Sequence, residues 1–234
     1  MLFDDAANYE AYKFWRDFTR SRIDDPRKKE ILAPMEPPHP WGTKRPSLEQ
    51  YYYECYNLPH CDLIDISEDP IEEFTETGIK TKSGDFHEFD VVALATGFDA
   101  VTGSLSQLDI KASDGHTIAD HWKDGLTTSM GIAMHGFPNM FFLYGPQAPT
   151  AFSNGPTCVQ VQAAWLETFF KSIKNTNITR VEATAESEVD WKRRTAEAWD
   201  ATLFPKAKSW YQGSNIPGRK VEPLNWYVFP FCAV

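Results

Sequence analysis

Closely spaced glycine pairs are missing from this chain. It has 13 glycines in 234 residues, and no two of them are separated by a single residue. A Gly-x-Gly-x-x-Gly turn, which brings backbone N–H groups and a helix N-terminus up to a pyrophosphate, is therefore absent. Cysteine is scarce. Cys55, Cys61, Cys158 and Cys232 form no C-x-x-C pair. They read as free thiols in a reducing compartment and match no common zinc spacing. No apolar run approaches the length of a membrane span. Met1-Leu2-Phe3-Asp4-Asp5 lacks the basic and apolar regions of a signal peptide. These absences predict a cytoplasmic chain with no bound metal and no membrane span. Positive charge is in deficit, with 23 Lys and Arg against 33 Asp and Glu, a formal net charge of −10. That balance speaks against nucleic acid or an anionic membrane as partner.

The composition is that of a globular chain able to bury a core, with 42% hydrophobic and 24% charged residues. The 8 Trp, 9 Tyr and 16 Phe read mostly as core packing. Residues from about Ala6 to Ile23 predict an amphipathic helix. Its stripe is Ala7, Ala11, Phe14, Trp15, Phe18 and Arg22, with Lys13, Arg16 and Arg20 on a solvated face. Asp24-Asp25-Pro26 predicts an N-cap and a second, short helix that stops before Pro34. An extended proline-rich connector follows to Pro40. Ser47-Leu48-Glu49-Gln50 reads as a capping box opening a helix through Tyr51–Tyr53. Cys61–Ile66 reads as a strand, and Ile71–Phe89 as a meander with turns at Thr77-Gly78 and Ser83-Gly84-Asp85.

Asp90 to Asp99 reads as a buried strand ending in a Thr-Gly turn. Val91, Val92 and Leu94 are apolar on both faces, as in a sheet covered on both sides. Met140–Tyr144 reads as a second buried strand. Helices are expected over about 154–174, with an apolar stripe of Val159, Ala163, Leu166, Phe170 and Ile173, and over about 188–203. A strand is expected near 178–185, and an irregular tail from Pro205. The mixture is α/β.

Four segments together resemble flavin-dependent Baeyer–Villiger monooxygenases of the cyclohexanone monooxygenase type. They are Gly42-Thr43-Lys44-Arg45-Pro46 with Tyr52–Asn57, Ala95-Thr96-Gly97-Phe98-Asp99 with Ala100–Gly103, Gly136–Phe142 leading into Gly145–Asn154, and Ser209-Trp210-Tyr211-Gln212-Gly213 with Ser214–Gly218. The resemblance covers nearly the whole chain but less than half of a full member. It implies a partial two-dinucleotide-binding-domain flavoprotein fold lacking both glycine-rich loops. Residues 1–60 would be the helical and linker part of the NADPH-binding domain. Residues 61–234 would be the C-terminal part of the FAD-binding domain with a substrate-pocket tail.

The resemblance also implies an activity. FAD and NADPH would be the cofactors, and a ketone and O2 the substrates, with an ester or lactone as product and natural-product biosynthesis as a setting. Arg45 would be catalytic, because a guanidinium holds negative charge on oxygen without losing its own proton. Lys44 would meet the 2′-phosphate of NADPH. Thr96, Gly97, Asp99, Ser153, Asn154 and Trp210 would contact cofactor. Phe152 and Trp210 would line the substrate pocket. Gln147 and Ala148 stand where the family usually has Gly and Ser, and Val159-Gln160-Val161-Gln162 where it usually has Ile-Glu-Gln-His. The missing loops imply a truncated or split member, with a separate chain supplying the first half. A non-catalytic binding or regulatory partner, or an N- or S-oxidising relative, are the alternative readings.

Overall fold

The structure is a computed structural model and describes residues 1–148 and 154–226. Two compact units divide it: Met1 with Ala6–Gly97, and Leu2–Asp5 with Phe98 onward.

In the first unit, α1 (Asp5–Arg20) is followed by α2 (Pro26–Leu32). Asp25 caps α2 as expected, its carboxylate accepting from the Arg27 and Lys28 N–H groups, with Pro26 at the first turn. The face that α1 buries differs from the apolar stripe read from the sequence. Asn8, Tyr12, Arg16 and Thr19 are buried, while Phe14 and Phe18 are 80% and 59% exposed. The proline-rich connector explains this. Proline supplies no N–H, so the connector's carbonyls need side-chain donors. Tyr12 donates to Pro34 O at 2.6 Å, Arg16 to Met35 O at 2.9 Å and Arg20 to Ala33 O at 2.8 Å. Arg16 and Arg20, assigned to a solvated face, instead hold the connector and the end of α2 to α1, while Lys13 pairs with Glu10.

The meander forms as expected. Strands β1 (Ile71–Phe74), β2 (Gly78–Thr81) and β3 (Phe86–Glu88) pair antiparallel in that order. Gly78 is required in β2, because a Cβ there would lie 2.0 Å from the His87 carbonyl oxygen. Two other expectations fail in this unit. Ser47–Gln50 forms no capping box, and only a 3-10 turn at Glu54–Asn57 follows, while Glu49 pairs with Arg22. Cys61–Ile66 forms no strand.

The Asp90 segment is the largest departure. It carries no strand, and Val91 and Leu94 are 82% and 73% exposed. No hydrogen bond among the described residues reaches the backbone of 91–97. A strand exists only with a ladder partner, and no described segment provides one.

In the second unit, α3 (Gly103–Ser106) and α4 (Ile118–His121) are single turns. The long helices α5 (Gly155–Ile173) and α6 (Ala185–Asp200) are capped by Asn154 and Thr184. Their positions match expectation to within about one turn. Met140–Tyr144 and 178–185 form no strands. Buried Ala112, Ile118, Met134, Phe137 and Phe142 make the main core cluster, joined by Leu105, Trp122 and Met140. The tail forms 3-10 turns at Phe204–Lys206 and Trp210–Gln212. Cys55 and Cys61 are free thiols. No helix among the described residues is long and apolar enough to cross a membrane.

Candidate functional site

The Lys44-Arg45 pair sits on an exposed loop held at both ends. Upstream, Asn8 brackets the Trp41 backbone, accepting from its N–H at 2.7 Å and donating to its C=O at 2.9 Å. Trp41 stacks on Trp15 with centroids 4.5 Å apart. Gly42 takes a positive φ of 81° and Thr43 is fully buried, its hydroxyl donating to Pro40 O at 2.6 Å. Downstream, Arg22 grips two carboxylates. It donates to both oxygens of Glu49 at 2.7 and 3.1 Å and to both of Glu54 at 2.6 and 2.7 Å. Those bonds hold both carboxyl groups below the usual carboxylate range. Between these anchors Lys44 and Arg45 are exposed and make no hydrogen bond or ion pair among the described residues.

Thr96 and Gly97 end the unpaired segment. Both are exposed, and Gly97 has a φ of 87° with open space where a Cβ would project. This backbone is free to approach a ligand, as the strand-turn reading requires.

Asp99 is not free. The guanidinium of Arg219 donates to its carboxylate and to the Thr102 hydroxyl. Gly103 is needed beside it, because a Cβ would come within 2.4 Å of the Asp99 carboxyl carbon. Sequence reasoning missed Arg219, which lies 120 positions along the chain in a stretch without regular structure. Only a residue one position past the last motif signalled it.

The segment after Gly145 is fixed by Gln147. That residue is 1% exposed and has a φ of 61°, which a side chain rarely adopts. Its side chain accepts from Thr128 Oγ1 at 2.9 Å and donates to Leu126 O at 3.4 Å. Its backbone N–H donates to Leu224 O at 2.8 Å, and its carbonyl accepts from Trp191 Nε1 at 3.3 Å. A glycine would adopt this φ freely, while the glutamine is held there by its partners. Asn154 is engaged as the α5 cap, its Oδ1 accepting from Thr157 N at 3.3 Å. Phe152 and Ser153 lie outside the described residues. Trp210 is 38% exposed and tilted over Tyr211 at 4.0 Å between ring centroids, so it is a surface-facing tryptophan and not a core one.

Lys44, Arg45, Thr96 and Gly97 belong to the first unit, and Asp99, Asn154 and Trp210 to the second. Among the described residues, no hydrogen bond, ion pair or ring contact joins any of these residues to another of them within its own unit. The exposed backbone at Thr96-Gly97 and the open cations at Lys44-Arg45 fit part of a dinucleotide site. No residue run offers the glycine-rich turn that seats a pyrophosphate.

Comparison with known proteins gives the class. No family model matches the chain. Over nearly its whole length, however, it is a relative of flavin-dependent Baeyer–Villiger monooxygenases. Among the particular proteins, a cyclopentanone 1,2-monooxygenase from Comamonas sp. is 51% identical over 225 residues, 96% of this chain and 41% of that protein. A phenazine N-monooxygenase from Lysobacter antibioticus is 38% identical over 224 residues, 96% of this chain and 40% of that protein. A crystal structure of OTEMO in complex with FAD and NADP matches with a TM-score of 0.88 at 35% identity, covering 97% of this chain and 41% of that one. The chain thus spans about two fifths of the length of the relatives it matches.

Proposed function

We propose that this chain is the cation-bearing part of an FAD- and NADPH-dependent monooxygenase of Baeyer–Villiger type. The reaction inserts one oxygen atom of O2 beside a ketone carbonyl and gives an ester or lactone. Residues 1–60 belong to the NADPH-binding domain and residues 61–234 to the FAD-binding domain. Polypeptide outside this sequence, as a separate chain, supplies the glycine-rich turns. Bound FAD and NADPH supply the electrons. This chain's own residues place charge around them. Lys44 meets a phosphate dianion as a compact ammonium. Arg45 stabilises negative charge on oxygen while keeping its own proton. Thr96 and Gly97 offer backbone groups to the cofactor, and Trp210 and Phe152 border the ketone.

The observation that carries this reading is the pair of uncommitted cations on a doubly anchored loop, within a chain 51% identical to a cyclopentanone monooxygenase. The test joins the chain, by mixing or fusion, to the portion of the Comamonas enzyme that it lacks. NADPH-dependent formation of a lactone from cyclopentanone supports the proposal. Its absence from a complex that binds flavin contradicts it. The phenazine relative favours a second reading, oxidation at nitrogen. The same complex offered a heteroaromatic amine separates the two by product.

A further inference from the structure

Outside the residues considered so far, the second unit holds a row of four titratable side chains. Asp114 accepts from the ring Nδ1 of His116 and from the His116 backbone N–H at 3.2 Å. His116 Nε2 lies 3.3 Å from His121 Nδ1. His121 Nε2 lies 3.3 and 3.2 Å from the two carboxylate oxygens of Glu188. Glu188 also accepts from the His135 backbone N–H at 2.9 Å and is only 5% exposed.

The two imidazole planes are nearly parallel, 14° apart, with centroids 5.5 Å apart. A ring nitrogen sits about 1.1 Å from its centroid, so two rings end to end at a 3.3 Å contact give this spacing. The rings therefore meet through their nitrogens in the geometry of an N–H···N bond. Both stand on edge to Phe137, at 85° and 86°.

Protons can be counted along the row. It has three links, and each needs one proton. Asp114 is held below the usual carboxylate range, chiefly by the His116 backbone N–H, so it accepts only. Two neutral imidazoles bring two protons, one too few. If His116 serves Asp114 and His121 serves Glu188, two lone pairs face each other at the centre. If His121 turns its proton to His116, its other nitrogen faces the Glu188 carboxylate with no proton between them. A third proton shared along the row completes it.

We propose that Asp114, His116, His121 and Glu188 form a proton-operated latch, closed with three shared protons and missing one link with two. It ties the turn at 112–117 and the end of α4 to the first turns of α6. The neighbouring charges are already engaged. Asp120 accepts from Thr117, and Glu182 accepts from the Gly136 N–H and from Arg180. His135 donates through Nδ1 to the Ala183 carbonyl, and Glu186 is bonded to the Thr184 side chain and its own backbone N–H.

The sign follows from linkage. The closed row holds one proton more than a row that needs only two, and the unfolded imidazoles take up the same protons in either case, so relative to such a row its contribution is lost as pH rises. Glu188→Gln separates this from a merely structural role. The Gln oxygen can keep the His135 N–H, while its amide donates to His121 Nε2, so two imidazole protons then fill every link. The test is urea unfolding of the full chain across the histidine range, about pH 5 to 8. Histidine C2-proton exchange, read by mass spectrometry, follows His116 and His121 separately. The wild type is expected to lose stability with rising pH relative to E188Q, by up to about tenfold in the folding constant per pH unit. The His116 and His121 exchange profiles should shift together in E188Q. Equal pH dependence in both proteins, or unshifted exchange profiles, overturns the latch. If unfolding proves irreversible, the exchange profiles decide alone.

Discussion

Arg45 and Gln147 show how differently single residues are specified in this chain. Arg45 is exposed and carries no local structural load. In the completed enzyme, Arg45→Ala should lower ester formation by roughly 10²–10³ while the folded chain is unchanged, the usual loss for one preorganised donor. Product analysis beside a urea curve checks both halves. Gln147 is the reverse case, held at a positive φ by buried partners. Gln147→Ala keeps the strained backbone and loses those bonds, at a cost of roughly 1–3 kcal/mol. Gln147→Gly should be the more stable of the two by about 1 kcal/mol, because the left-handed backbone penalises a Cβ. Urea unfolding of the two variants side by side checks that order. The Lys-Arg pair stands out in the sequence because a charged pair between Gly-Thr and Pro is a local pattern that the family resemblance carries, and its exposure is what the structure adds. The Arg219 clamp on Asp99 was not legible, because only the fold brings positions 120 apart together.

The Asp25 cap with Pro26 and the turns of the meander depend on neighbouring residues alone and were read correctly. The Thr184 cap, which starts α6 at Ala185 and not at Glu188, was missed. Elements whose causes are distant were not read correctly. The buried face of α1 is set by carbonyls that a proline-rich connector leaves open, which no periodicity reports. The segment at 90–96 has the residues of a strand, lacks a neighbour and forms none. The apolar stripe of α5 is similarly half used. Leu166 is buried, while Leu143 and Phe170 line an open groove of about 550 Å³. Exposed apolar edges of this kind favour association. Leu94→Asp should therefore leave the stability of the chain alone within about 0.5 kcal/mol, as at other exposed sites. It should nevertheless block assembly with the missing portion. Size-exclusion chromatography of the mixture, with wild type alongside, checks this. Phe137→Ala is the contrasting control, expected to cost about 3–5 kcal/mol because the ring is 2% exposed in the main core cluster.

At the scale of the whole molecule, the account rests on a division of labour. This chain carries the cations, the exposed Thr96-Gly97 backbone and Trp210. It carries no turn able to seat a pyrophosphate, and its glycine positions exclude one. FAD and NADPH are held mainly through such turns and the helix N-termini behind them. The most direct measurement records the visible flavin spectrum and the NADPH absorbance of residues 1–234 with added FAD and cyclopentanone, first alone and then with the portion of the Comamonas relative that it lacks. The account predicts no stoichiometric flavin and no ketone-dependent NADPH loss for the chain alone, and both once the missing portion is present. Stoichiometric flavin with ketone-dependent NADPH oxidation by the chain alone would contradict it.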